Sequence, residues 1–426
     1  MTTISRRTFS GLLGAAGVLG LSGGLSGCAS SSGPRVVVVG GGFGGATAAK
    51  YLKRYDPALD VTLVESQPSH VTCPFSNTVV AGLNDLSMLE RRFDRLTALY
   101  GVKVVTDTVV AIDPVTKVVR TAGGASLAYD RLVLSPGIDF KWNAIEGYDA
   151  AAAEIMPHAW KAGAQTTLLR RQLEAMADGG LVVISAPGNP FRCPPGPYER
   201  ASLIAHYLKR HKPKSKLMIL DAKDAFAKDR LFKEGWEKMY DDILEWVPAA
   251  KNGKVTKVSA RDGTVETDFE KFKPAVANII PPQSAGQIAL ASGLADKSGF
   301  CPVDPNTFES TLAKGVHVIG DAAIAGDMPK SGYSASSQAK VCAAAIVALL
   351  KGEAPLPLSA INTCYSLVAP DYGISVAAVF AVKEGKIASV PGAGGVSPLG
   401  ANYQFRKKEA DFAMGWYQSI CQDSWA

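Results

Sequence analysis

The chain has 426 residues, of which 20% are charged and 47% hydrophobic, and a formal net charge of +6. That length exceeds one ordinary hydrophobic core, so two or three domains are expected. Lysines and arginines are interspersed with acids and no basic run is interleaved with aromatics, so nucleic-acid binding has no support in the pattern.

At the N-terminus, Ser5-Arg6-Arg7-Thr8-Phe9 precedes an apolar, glycine-rich stretch from Gly11 to Leu21. The stretch is too short to span a bilayer, and with Arg6-Arg7 it reads as a twin-arginine export signal over residues 1–33. A periplasmic protein, exported folded with any cofactor in place, is the expectation. Leu25-Ser26-Gly27-Cys28 also has the form of a lipoprotein cleavage box. A lipid anchor at Cys28 and a plain soluble product therefore both stay open. No later segment reads as a transmembrane helix.

The globular part opens on Arg35-Val36-Val37-Val38-Val39, a buried parallel strand by its unbroken apolar run, followed by Gly40-Gly41-Gly42-Phe43-Gly44-Gly45 and a helix from about Ala46 to Tyr55. This is G-x-G-x-x-G. Gly40 permits a tight turn, Gly42 lets the backbone approach a pyrophosphate, and Gly45 allows close helix–strand packing. A second strand, Val61–Val64, ends in Glu65, about 20 residues beyond the last glycine and suited to a ribose hydroxyl. Strand, turn, helix, strand and acid in this order point to an adenine dinucleotide.

Cys73 follows in Val71-Thr72-Cys73-Pro74-Phe75-Ser76-Asn77. Strands are expected at Val102–Val105, Val109–Ile112, Lys117–Thr121 and Arg131–Leu134, the last running into the turn Ser135-Pro136-Gly137. A helix over Ala164–Ala177 leads to a further strand, Leu181–Ile184, which ought to open a second dinucleotide unit. The next turn carries Pro187, Pro190, Pro194, Pro195 and Pro197, and proline has no N–H to offer a phosphate, so nicotinamide binding is expected to be lost there. Cys193 precedes a helix over Tyr198–Arg210, where a sulfur near the helix N-terminus is favoured as thiolate. Further on, Val316–Ile319 ends in Gly320-Asp321, a helix covers Ser334–Leu350, and the chain past Pro355 becomes aromatic with interspersed Gly and Pro.

The seven cysteines include no C-x-x-C pair, none with a histidine at metal-ligand spacing, and no C-x-x-C-H, which disfavours zinc and covalently bound haem within this chain. Spacing alone does not identify a partner for Cys193. Cys342, on a helix among Val341, Ala343, Ala344 and Ile346, reads as core, and Cys301 and Cys421 receive no catalytic role.

Six segments carry a resemblance: Val36–Ala49, Val71–Gly82, Arg192–Arg200, Cys301–Ser310, Gly320–Ala345 and Asn362–Ala378. Cys193-Pro194-Pro195-Gly196-Pro197-Tyr198-Glu199-Arg200 and Pro329-Lys330-Ser331-Gly332-Tyr333-Ser334-Ala335 are the sharpest pieces. Together they resemble the flavoprotein subunit of flavocytochrome c sulfide dehydrogenase. The resemblance implies an α/β fold of the glutathione-reductase type, with two Rossmann-type domains and a small C-terminal α+β interface domain. Its boundaries would be 34–160 with 291–354 for FAD, 161–290 for the second unit without a NAD site, and 355–426 for the interface.

It further implies FAD bonded through Cys73 and a redox disulfide between Cys193 and Cys364; Glu199, one or two helical turns from the Cys193 sulfur, is placed either as a proton relay or as a solvent-facing helix acid. Pro136, Gly137, Gly320, Asp321, Lys330 and Trp416 would lie at the flavin. Hydrosulfide would be the substrate, zero-valent sulfur or polysulfide the product, and haem c would reside only in a separate c-type cytochrome subunit. The alternatives are a sulfide:quinone oxidoreductase, which an amphipathic membrane helix within Asn402–Ala426 would favour, and a non-catalytic flavin-carrying accessory protein.

Overall fold

Four consecutive valines after Arg35 need burial on both faces, and Arg35–Val39 obtains it as the middle strand of a five-stranded parallel sheet. Asp60–Glu65 and Arg131–Leu134 flank it, with Lys103–Thr106 and Val316–Val318 at the edges. The computed structural model describes residues 33–426, which cluster as one compact unit, so Arg6-Arg7 and Cys28 lie outside the described residues. A second parallel sheet has the order Leu244–Val247, Lys216–Asp221, Leu181–Ala186, Val276–Ile279. The C-terminal part is an antiparallel meander of Ser359–Ala369, Tyr372–Lys383 and Lys386–Val396, closed by the helix Tyr403–Trp425. Its first strand packs against both the Gly332–Leu350 and Gly196–His211 helices, and so brings Cys364 toward the parallel sheets.

Three helices begin earlier than their apolar periodicity implies, at Phe43, Gly196 and Gly332. Helix geometry starts as soon as the turn permits. Pro197 needs no hydrogen-bond partner in a first turn, and the Ser331 side chain caps its helix by accepting from the Ser334 N–H at 3.1 Å. Gly332–Leu350 corrects one expectation, because its mean hydropathy of 1.3 makes it long and apolar enough to cross a membrane. It nonetheless packs against Phe43–Tyr55 and Ser359–Ala369 with Ala339, Cys342, Ala343 and Ile346 fully buried. A helix surrounded by protein is apolar on most faces for the same reason as one surrounded by lipid.

Buried imidazoles make the fold acid-sensitive. The His158 Nδ1 accepts the Trp160 N–H at 2.9 Å and its ring lies 4.4 Å from that of Phe140. Burial, with Arg200, Lys161 and Arg192 adding, pushes it down to about 3. A histidine whose folded value is depressed contributes stability that is complete above its unfolded value, about pH 6.5, and is lost as pH falls toward the folded value. Each pH unit in that window is worth about 1.4 kcal/mol, so by pH 4 this ring alone removes on the order of 3 kcal/mol. Urea unfolding followed from pH 7 to pH 4 will show that decline, and His158→Asn, which keeps an acceptor for the Trp160 N–H, will flatten it. An unchanged slope in the variant would assign the acid sensitivity elsewhere.

Candidate functional site

At the carboxyl ends of the first sheet's strands lies a cavity of about 730 Å³. Gly40, Gly42, Glu65, Cys73, Pro136, Gly137, Gly320 and Asp321 line it. Gly40 has φ 95°, and a side chain there would stand 2.3 Å from the Ser135 carbonyl oxygen. Gly45 lies beneath the turn, where a Cβ would meet the Gly40 carbonyl oxygen at 1.8 Å. A Cβ on Gly42 would meet only the His70 ring, at 3.4 Å, so backbone is open to a ligand at that point. Glu65 faces the cavity and also braces the turn: one carboxylate oxygen accepts the Gly41 N–H at 2.6 Å, the other the Gln67 N–H at 3.1 Å.

Gly320, also in the cavity lining, has φ 74° and donates its N–H to the Gln338 side-chain oxygen at 2.7 Å. Asp321 beside it keeps Oδ1 buried without any partner, and burial raises its carboxyl while Arg192 and Lys330 oppose the rise. A buried carboxylate oxygen lacking a donor is costly unless a bound group supplies one. The open glycine turn at the N-terminus of a 13-residue helix suits the pyrophosphate of a flavin dinucleotide, and this orphaned acceptor suits a hydroxyl donor on its ribityl chain. Such a group would be held by Gly40–Gly45, Glu65, Cys73 and Asp321.

Two residues expected at the flavin stand outside this cavity. The Lys330 ammonium donates to the carbonyls of Asp321 at 2.6 Å and Ala323 at 2.9 Å, 3.9 Å above the Phe300 ring, and burial pushes it down to about 8. Trp416 stacks on Tyr333 at 6.2 Å and lies 6.1 Å from Tyr365. The same C-terminal helix carries Trp425, also outside the cavity lining, whose indole N–H donates to the Gly41 carbonyl at 3.1 Å while its ring stacks on the cavity-lining His70 at 5.6 Å. Neither His70 nor Trp425 was marked by a motif. They meet only through contacts between distant parts of the chain.

Cys73 is the cavity's sulfur, with Sγ 3.6 Å from the Trp160 carbonyl oxygen. Cys193 occupies the left-handed region at φ 57°, held there by its N–H to the Lys330 carbonyl at 2.7 Å. Burial raises its thiol well above the ordinary value; Cys364, Glu199 and Cys73 add to the rise and Arg192 opposes it. This corrects the expectation of a favoured thiolate, since desolvation outweighs the helix N-terminus. Cys364, on Ser359–Ala369, is likewise raised by burial, with Lys228 opposing and Glu199 adding. Cys73, Cys193 and Cys364 are free thiols here, and Cys193 stands close enough to the other two and to Glu199 for their charges to interact. Cys301 and Cys342 are fully buried in the core, and Cys421 is buried beside Tyr417 and Arg91.

Glu199 is clasped between two elements: Oε2 accepts the Asn77 amide at 2.8 Å and Oε1 the Leu367 N–H at 2.8 Å. Burial raises its carboxyl despite these donors. Asn77 turns its carbonyl oxygen to the Arg200 Nε at 3.0 Å. In the second sheet, Asp221 ends the second strand, where a nicotinamide dinucleotide would meet an acid. It is fully buried and occupied by the Tyr198 hydroxyl at 2.6 Å, the Trp246 indole at 2.9 Å and the Lys223 ammonium at 2.6 Å. Lys223 also reaches the Pro187 carbonyl at 2.7 Å.

Three family models match the chain: "Pyridine nucleotide-disulphide oxidoreductase" over residues 34–177, "Sulfide dehydrogenase [flavocytochrome c] flavoprotein chain, central" over 166–281, and "Flavocytochrome c sulphide dehydrogenase, flavin-binding" over 357–425. The sulfide dehydrogenase [flavocytochrome c] flavoprotein chain of Chlorobaculum thiosulfatiphilum is 69% identical over 45 residues, which is 94% of that sequence and 11% of this chain. The mitochondrial sulfide:quinone oxidoreductase of Mus musculus is 24% identical over 353 residues, 77% of this chain and 74% of that one. In fold, the chain is similar to the sulfide:quinone oxidoreductase of Aquifex aeolicus, with a TM-score of 0.72 and 17% identity over 92% of each chain. The α/β fold, the flavin-type cavity and these matches place the chain in the family of flavocytochrome c sulfide dehydrogenase flavoprotein chains, among the sulfide:quinone oxidoreductase-like flavoproteins.

Proposed function

We propose that the protein is a periplasmic sulfide dehydrogenase that oxidises hydrosulfide to zero-valent sulfur or polysulfide, carries FAD linked through Cys73, and delivers electrons to a separate c-type cytochrome subunit. The observation that carries this reading is the gathering of Cys193, Cys364 and Glu199 next to Cys73, which lines the cavity. FAD, when bound, accepts an electron pair from sulfur and releases electrons singly to a haem acceptor.

The chain's own residues supply the sulfur chemistry. With Cys193 and Cys364 oxidised to a disulfide, the hydrosulfide electron pair forms a new S–S bond to one of them. The Cys193–Cys364 bond breaks, and its electron pair leaves on the other cysteine as a thiolate. The proton on the new persulfide passes to Glu199, whose raised carboxyl matches a proton acceptor working nearer neutrality.

The burial and saturation of Asp221 support an acceptor other than a nicotinamide dinucleotide. The helix Tyr403–Trp425 buries Ala413, Tyr417, Ile420 and Trp425 against the protein but leaves Phe405 and Phe412 exposed, so the export signal rather than this helix is what favours a cytochrome over a membrane quinone.

Colour that stays with acid-precipitated wild-type polypeptide, and moves to the supernatant in Cys73→Ser, is expected for the covalent link; free flavin from the wild type would refute it. Cys193→Ser and Cys364→Ser should each abolish sulfide-driven flavin bleaching and cytochrome c reduction while retaining bound flavin. Normal turnover in both would remove the disulfide mechanism, and faster reduction of a soluble quinone than of cytochrome c would move the protein to the quinone branch. Glu199→Gln should slow turnover about 10²-fold. It should also erase the acid limb of the pH profile, because a carboxylate acceptor with a raised value is lost as pH falls through that value. Retention of the limb would exclude Glu199 as its source.

A further inference from the structure

We propose that Arg200 is the fixed counter-charge of the sulfur site, a positioning residue that stabilises the anionic sulfur formed at Cys193 and thereby selects an anionic sulfur nucleophile over a neutral thiol. This rests on the sulfide reading above and names a residue that reading does not use.

Arg200 is 2% exposed, yet no carboxylate lies within ion-pair distance of it among the described residues. Its donors go to neutral acceptors: the Asn77 side-chain oxygen at 3.0 Å, the Asn278 side-chain oxygen at 2.9 Å, the His158 carbonyl at 3.1 Å and the Ala159 carbonyl at 2.6 Å. A buried cation without a counter-ion is unusual, because desolvation is normally offset by an opposite charge. Glu199, on the adjacent residue, does not supply that charge directly. Asn77 stands between them, its carbonyl toward Arg200 and its amide toward Glu199.

The guanidinium lies 5.0 Å from the Trp160 ring centre, and the Trp160 carbonyl meets the Cys73 sulfur at 3.6 Å. The same ring and the Cys193 sulfur both crowd the empty Cβ position of Gly196, at 2.6 and 3.0 Å. Burial pushes the guanidinium down to about 10, Cys73, Cys193 and, across Asn77, Glu199 each favour its charged form, and Arg192 opposes it. The groups facing Cys193 are then Arg192 in its own loop, Glu199 and Arg200 on the following helix, Cys73 from the first domain, and Cys364 from the meander. A thiolate or persulfide formed there meets two cations: Arg192, which already has Asp321 at 4.0 Å, and Arg200, which has no carboxylate within ion-pair distance.

The test reads sulfur charge without turnover. In flavin-loaded protein carrying Cys364→Ser, the rate of iodoacetamide alkylation at Cys193, located by peptide mass, is followed from pH 6 to pH 10. Arg200→Gln is expected to raise the apparent thiol value by about one unit, a tenfold slower reaction at a given pH below it. Arg200→Lys, which keeps the charge, should stay near the parent profile. Because Arg200→Gln removes several buried hydrogen bonds and can fail to fold, Asn278→Asp provides the second arm: it retains volume, gives the guanidinium a carboxylate and should shift the profile in the same direction. Profiles unchanged in folded Arg200→Gln, or in Asn278→Asp, would overturn the assignment. Sulfide bleaching of the unsubstituted protein is read in parallel, and its absence would remove the sulfide reading while the thiol titration still decides Arg200.

Discussion

A guanidinium withdrawn from water must place its donors or unfold its surroundings, and Arg200 places them on three separate stretches of chain besides its own. Asn77 belongs to the short helix after Cys73, Asn278 to the second parallel sheet, His158 and Ala159 to the connection between the sheets, and Arg200 itself to the helix after Cys193. One side chain thereby ties the cavity's sulfur to the sulfur of the neighbouring sheet. Asn77 and Glu199 extend the tie to Leu367, on the strand that carries Cys364. Local stability and the geometry of the sulfur site are therefore the same network.

The site also combines backbone strain with desolvation. Phe75 and Cys193 are non-glycine residues in the left-handed region, at φ 66° and 57°, each within two residues of a site cysteine or at one. Such conformations persist only where the surroundings over-determine them. Here the Cys193 N–H on the Lys330 carbonyl and the dense packing of Trp160 against Gly196 do so. Low-dielectric surroundings raise the thiols and the Glu199 carboxyl together, so that proton position and sulfur charge are coupled rather than independent.

The first sheet and its glycine turn were legible because they depend on short-range rules. Val36–Val39 has no polar position to expose, Gly40 needs a left-handed φ, and Gly45 leaves no room for a Cβ. The proline-rich turn after Leu181–Ala186 was equally local, since proline lacks the N–H wherever it lies. The ionisation of Cys193 was not legible: the helix N-terminus is a sequence feature, whereas desolvation is a property of everything packed around the sulfur. Trp416 and Trp425 show the same limit. Both lie on one helix, and only its docking decides which indole reaches the Gly41 carbonyl.

From the amino-acid order alone came the dinucleotide turn, the order of α/β elements, the reading of an export signal, and the cysteines and acid worth following, because these rest on chain-local sterics and on motif spacing. Tertiary structure alone decided that Asp221 is filled by Tyr198, Trp246 and Lys223, that Asp321 keeps an orphaned oxygen, and that Arg200 is buried without a carboxylate. Each of those depends on which distant atoms share a low-dielectric space. Burial and charge balance are sums over neighbours that are remote in the chain, so no local pattern encodes them.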